Sequence, residues 1–119
     1  MIRILYINDD PAEALLEEAF EKLGITIELT VAEDVSNARK QLAQAEKFDT
    51  IFMDYELGGG QTAISSGLMR LALEKGFGAE KKPLIAYSQG YNSELLRDGC
   101  SHSCVWYNLD ELVCQLFTI

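Results

Sequence analysis

Ile2-Arg3-Ile4-Leu5-Tyr6-Ile7-Asn8-Asp9-Asp10-Pro11 opens the chain with an apolar run, interrupted only by Arg3, that breaks abruptly into two acids and a proline. An apolar run this short reads as a buried strand. Pro11 stands where a first helical residue belongs, with Asp10 before it as a cap. Ala12, Leu15, Leu16, Ala19, Phe20 and Leu23 follow at helical spacing, and Gly24 supplies the stop. Strand, acidic end and amphipathic helix make one unit, and the rest of the chain repeats it.

Ile25, Ile27, Leu29 and Val31 alternate with polar residues, as in a strand with one solvated face, and Val35, Ala38, Leu42 and Ala45 give a second helix. Phe48 to Met53 forms a third strand that ends at Asp54. The loop Gly58-Gly59-Gly60 leads into a third helix near Gly67–Lys75. Leu84–Tyr87 is a fourth strand ending at Ser88, followed by a short helix near Ser93–Asp98 and a fifth strand over Ser103–Tyr107. Leu109, Leu112, Val113, Leu116 and Phe117 close the series as a helix. Five such units predict an α/β fold, a parallel sheet with helices on both faces, because each parallel crossover needs a helix-length return.

The 119 residues suit one domain spanning 1–119, and 48% hydrophobic with 24% charged residues is the balance of a folded globular chain. The net charge of −9 is concentrated in residues 1–56, which carry −8 of it. So acidic a chain lacks the cationic surface that neutralises phosphates, which excludes direct nucleic-acid binding and disfavours an anionic membrane. No stretch approaches the ~20 apolar residues of a membrane span. Three cysteines in an ordinary core-forming sequence, and an opening without a signal-peptide pattern, predict a cytoplasmic protein.

In open α/β sheets, ligands bind at the carboxyl ends of the strands. Those ends carry Asn8-Asp9-Asp10, Asp54 and Ser88. Taken singly, Asp10 is an ordinary cap, and acids after strands solvate loops. Taken together they make a site: if strands one and three are neighbours, Asp9, Asp10 and Asp54 converge, and their mutual repulsion calls for a hard cation. Mg²⁺ suits such oxygen ligands and leaves positions for phosphate oxygens, while the Ser88 hydroxyl can hydrogen-bond a phosphoryl oxygen.

Strand–Asp-Asp-Pro, strand–Asp with Leu57 three residues on, and strand–Ser, in this order and across the whole chain, resemble the receiver domain of bacterial two-component response regulators. The resemblance implies a flavodoxin-like, doubly wound, five-stranded parallel sheet in the order 2-1-3-4-5 with five helices. It implies that Asp54 is the phosphoacceptor, taking a phosphoryl group from a histidine-kinase phosphohistidine or an acyl phosphate. It also implies that Asp9, Asp10, Asp54 and the backbone carbonyl of Glu56 hold Mg²⁺, and that Ser88 senses the phosphoryl group. The expected partners are a sensor histidine kinase or phosphotransfer protein and a downstream protein target, with a homodimer as a further option. The expected activity is that of a stand-alone switch, not of an enzyme acting on other molecules.

The sequence departs from the family in three places. Receivers carry a lysine at the end of strand five, whereas this segment reads Cys104-Val105-Trp106-Tyr107-Asn108 and no lysine follows Lys82. The loop after Asp54 has Gly58 in place of the family's proline, and its three glycines predict mobility. Gln89 takes the place of a smaller residue beside Ser88 and, with Glu56, is expected to alter the dephosphorylation rate. The missing lysine keeps a second reading open, a pseudo-receiver that binds partners without being phosphorylated. A phosphatase of the haloacid-dehalogenase type is less well supported, since Glu56 stands where a second aspartate is needed. A flavin binder is opposed by the acids, which repel a flavin phosphate.

Cys100, His102 and Cys104 alternate, so a strand would place them on one face, with Cys114 distant; small buried hydrophobes are the expected reading and zinc the minor one. Trp106 and Tyr107 are expected to pack within strand five, and either of them, or Tyr91, is a candidate for the aromatic that moves with Ser88.

Overall fold

Alternation along each strand decides which side of the sheet a residue faces, and two cores follow from it. The computed structural model describes residues 1–118. Its elements are β1 (Ile2–Ile7), α1 (Glu13–Glu21), β2 (Ile27–Ala32), α2 (Val35–Leu42), β3 (Thr50–Met53), α3 (Leu68–Glu74), β4 (Leu84–Tyr87), α4 (Asn92–Asp98), β5 (His102–Cys104) and α5 (Leu109–Phe117). All strand pairs are parallel and the order is β2-β1-β3-β4-β5. This is the flavodoxin-like doubly wound sheet with five helices.

Leu5, Ile7, Ile51, Met53, Leu84 and Ala86 point to one face, where Val35, Ala38 and Leu42 of α2, Leu68, Met69 and Ala72 of α3 and Leu95 of α4 cover them. Ile4, Tyr6, Phe52, Ile85, Tyr87 and Cys104 point to the other, against Leu16, Ala19 and Phe20 of α1 and Leu109, Leu112 and Val113 of α5. The near-unbroken apolar runs of β1, β3 and β4 are those of strands covered on both faces. The connection through α1 covers one face of the sheet and the connection through α2 the other, so the strand ends at β1 and β3 open into a crevice.

Two sequence expectations change in the structure. Helix α1 begins at Glu13 rather than Pro11, with Ala12 in the capping position and no side-chain cap. Asp10 therefore does not cap it. Its own N–H donates instead to Asn8 Oδ1 at 2.8 Å, a local turn that delays the helix. Strand β5 ends at Cys104, and Trp106–Asn108 form a turn of 3₁₀ helix, fixed by the Val105 N–H donating to Asn108 Oδ1 at 2.8 Å. Trp106 and Tyr107 thus leave the sheet and are 54% and 74% exposed, not packed within it. Around the glycine loop, Leu57 N–H donates to Gln61 O at 2.9 Å, and Ala63 N–H to Tyr55 O at 2.7 Å. Gly58, Gly59 and Gly60 all adopt φ between +58° and +78°, the left-handed region that glycine enters without steric cost.

One buried hydroxyl ties this framework to the strand ends. Tyr6 Oη accepts from Asn8 Nδ2 at 3.1 Å and from the Ala12 N–H at 3.3 Å, so it holds both ends of the β1–α1 loop. Tyr6→Phe should therefore lower stability by about 1 kcal/mol, the usual net worth of such bonds. A lower urea midpoint with an unchanged m-value is the expected result.

Candidate functional site

The register sets the site. Ile7 pairs with Met53 and Met53 with Ala86, so Asn8, Asp54 and Tyr87 come next along their strands, with Ser88 one residue beyond. Asp54 N–H donates to Ile7 O at 2.9 Å, which stitches β3 to β1 at the crevice. An open cavity of about 240 Å³ lies there, lined by Asn8, Asp9, Asp10, Asp54, Ser88 and Gln89, with Tyr6 and Tyr87 behind and Leu15 and Trp106 at its side.

Asp54 is its electrostatic centre. Burial pushes its carboxyl up to about 6, and the neighbouring negative charge of Asp9 adds to that shift. Hydrogen bonds donated by the Ser88 hydroxyl and by the Tyr55 N–H, the latter at 2.9 Å, oppose it. Of the sequence-predicted residues, the structure thus brings Asp9, Asp54 and Ser88 into contact. Asp10 lines the cavity but is not among the groups acting on Asp54; its charge acts on Tyr6, whose hydroxyl is pushed up mainly by burial. Glu56 stands at the outer side of the site, with Gln89, Gly90 and Tyr91, and forms an isolated antiparallel bridge with Thr62.

Sequence reasoning did not single out Asn92. Asn92 clamps the fourth and fifth strand ends: its Oδ1 accepts from Ser88 N–H at 3.0 Å, and its Nδ2 donates to Ser88 O at 3.0 Å and Cys104 O at 3.1 Å. An asparagine four residues past a strand-end serine is a visible signal, but its second carbonyl partner is set by tertiary structure. Tyr91 adopts φ +62° and stacks on Tyr55, ring centroids 4.7 Å apart, and it lines the outer pocket that Asp54 and Ser88 also line. Gly58, at φ +78°, lies against Asp9: a Cβ there would be 3.6 Å from Asp9 Oδ2.

The donor set fits a hard divalent cation in a reduced form. Among the described residues no group of three or more His, Cys, Asp or Glu side chains gathers as a metal site. Asp9 and Asp54 nevertheless bring two carboxylates together, and one or two carboxylates plus water suffice for Mg²⁺. The cysteine–histidine alternation does not make a zinc site. Cys100 and Cys104 are buried, with thiols pushed up to about 12 by burial, which makes them inert core residues. Among the described residues no Lys or Arg lines the Asp54 cavity; Trp106 occupies its side near the end of β5.

No protein-family model matches the chain, and no curated protein is similar to it. Solved structures are. The response regulator domain of Thermotoga maritima CheB superposes with a TM-score of 0.68 at 17% identity, covering 97% of this chain and 92% of that one. The receiver domain of the Francisella response regulator 1452 gives 0.66 at 24%, covering 97% and 93%. A Burkholderia pseudomallei response regulator with a phosphorylated aspartic acid, calcium ion and citrate gives 0.66 at 20%, covering 99% and 68%. The chain has the receiver fold. At these identities the likeness is one of fold, and chemistry must be read from this chain's own residues.

The raised Asp54 makes a signed prediction. Its carboxyl titrates near 6 when folded, against 3.8 for the unperturbed group, so the folded state loses stability as pH rises through that window and bears the full penalty above it. Asp54→Asn removes the penalty. The variant should be more stable than the parent by about 1–2 kcal/mol near pH ~7, after discounting for partial solvent screening. The advantage should vanish below about pH 4. Thermal unfolding of both proteins across this range is the check.

Proposed function

We propose that this chain is a phosphoacceptor switch of two-component or phosphorelay signalling, with Asp54 as the acceptor. The observation that carries the reading is the pairing of Asp54 with Asp9 and with the Ser88 hydroxyl at the crevice of a receiver fold. An ionised Asp54 carboxylate oxygen attacks the phosphorus of a phosphohistidine or acyl phosphate. The donor's P–N or P–O bond breaks, and its electron pair leaves with the imidazole nitrogen or the acyl carboxylate. Asp9 and Asp54, with the backbone carbonyl of Glu56, would hold Mg²⁺, which supplies positive charge to the phosphoryl oxygens.

The chain's own groups do the remainder. Ser88 turns its hydroxyl from the Asp54 carboxylate to a phosphoryl oxygen, and Asn92 transmits any movement of Ser88 to Cys104 at the end of β5. Gln89 and Glu56 flank the outer side, where they set the approach of a hydrolytic water. The reaction is on the protein itself; no exogenous substrate is turned over. The phosphoryl donor would be a sensor histidine kinase or phosphotransfer protein in the cytoplasm, and the output a protein target that binds one of two conformations better.

A pseudo-receiver is the second reading, favoured by one observation: the cavity has no lysine or arginine among its lining residues. A binding module of that kind would signal without phosphorylation.

Intact mass after incubation with Mg²⁺ and a small acyl phosphate separates the two. The phosphoacceptor reading expects one added phosphoryl group, absent from Asp54→Asn and abolished by a chelator. No adduct, together with no binding of beryllofluoride and Mg²⁺, would leave the pseudo-receiver. In an active parent, Gln89→Ala should change the rate at which the adduct is lost; an unchanged rate removes Gln89 from the mechanism.

A further inference from the structure

Three large apolar side chains stand in solvent on one side of the molecule. Leu15 of α1 is 40% exposed, Trp106 54% and Tyr107 74%. They are contiguous: Leu15 and Trp106 line both the Asp54 cavity and an adjoining groove of about 270 Å³, and Tyr107 lines that groove with Glu18, Lys22, Leu109 and Asp110. Trp106 and Tyr107 meet edge to face, centroids 5.7 Å apart. Isolated exposed apolar residues are ordinary, but a joined aromatic strip running into a polar cavity is the anatomy of a contact surface.

The charge left beside the strip is negative. Glu18 lines the groove, and Asp9, Asp10 and Asp54 line the cavity at the strip's inner end. The groove's one base, Lys22, is taken up by Asp110 at 2.9 Å. Aromatic faces attract cations, and arginine lies flat on them most readily. A second copy of this chain, at net charge −9, would bring like charges together; nucleic acid is repelled for the same reason.

We infer that Leu15, Trp106 and Tyr107 dock a segment of a partner protein that carries an apolar side chain and an arginine or lysine, and that its cation passes over Trp106 toward Asp9, Asp54 and Ser88. The partner thereby supplies the positive charge that this chain's own cavity lacks. The value of that charge to phosphoryl transfer rests on the reading of Asp54 as phosphoacceptor; the docking itself does not. A cation delivered in trans to a transferring phosphoryl group stabilises charge that only develops in the transition state.

The chain has a single tryptophan, so emission from Trp106 reports on the strip directly. The probe is a short synthetic peptide alternating leucine and arginine, compared with the same peptide carrying neutral citrulline for each arginine. The arginine peptide should shift Trp106 emission saturably and bind about ten-fold more tightly than the citrulline peptide. Calorimetry should show binding weakened about ten-fold in the Trp106→Ala, Tyr107→Ala pair. It should hold in a Glu46→Gln, Glu80→Gln pair, whose acids precede β3 and β4 at the opposite end of the sheet. The amide resonances of Ser88 and Gln89 should move with the arginine peptide. The inference is overturned by absence of saturable binding, by equal losses in the two variant pairs, or by unmoved Ser88 and Gln89. No phosphoryl donor enters the titration, so failure of the acyl phosphate reaction is a separate result.

Discussion

Two carboxylates held side by side at the ends of adjacent parallel strands set the terms for the rest of this molecule. Asp54 is half-buried beside Asp9, and both the burial and that neighbour resist its ionisation. A pair like this would relax outward if the backbone allowed it. The backbone does not: Asp54 N–H is bound to Ile7 O in the β1–β3 ladder, and the Asn8–Ala12 loop is tied to the Tyr6 hydroxyl. Ser88 and the Tyr55 N–H then offer hydrogen bonds to the charged form, which offset part of the cost. The remaining cost of ionising Asp54 beside Asp9 is one that positive charge placed between the two carboxylates would lower.

The site's charge leaves a deficit of positive groups, and the elements around it supply no remedy of their own. Trp106 stands at the side of the cavity, carried there by the turn that ends β5 at Cys104. An indole cannot neutralise an anion, but its face attracts cations, so one residue changes the site from self-sufficient to receptive. The clamp made by Asn92 gives a route outward: it bonds to Ser88 and to Cys104 at once, and Cys104 lies two residues before Trp106. Cavity, clamp and aromatic strip form a contiguous structure rather than separate features.

Much of this was legible in the residues. The β-α alternation, the ends of β4 and α5, and the polar strand ends could be read directly, because apolar periodicity is a local property and parallel crossovers have few solutions. Asp9, Asp54 and Ser88 were legible for the same reason, being residues at strand termini. Asp10 was misread as a cap because Asp before Pro is a good helix start, and the competing Asn8 turn is equally local but was outweighed. Trp106 and Tyr107 were misread as strand residues on their β propensity; the Asn108 side chain bonding back to Val105 N–H ends the strand first.

The sequence by itself determined the class of the fold, the place of each strand end and the oxygen-bearing residues that meet there, since these follow from hydrophobic period and turn chemistry along the chain. Tertiary structure alone decided which acid stands beside Asp54, that Asn92 spans two strands, that Tyr91 stacks on Tyr55 and that Trp106 faces the cavity. Those outcomes depend on strand register and on side chains from distant segments meeting within a few ångströms, and no pattern along one chain segment encodes a distance to another.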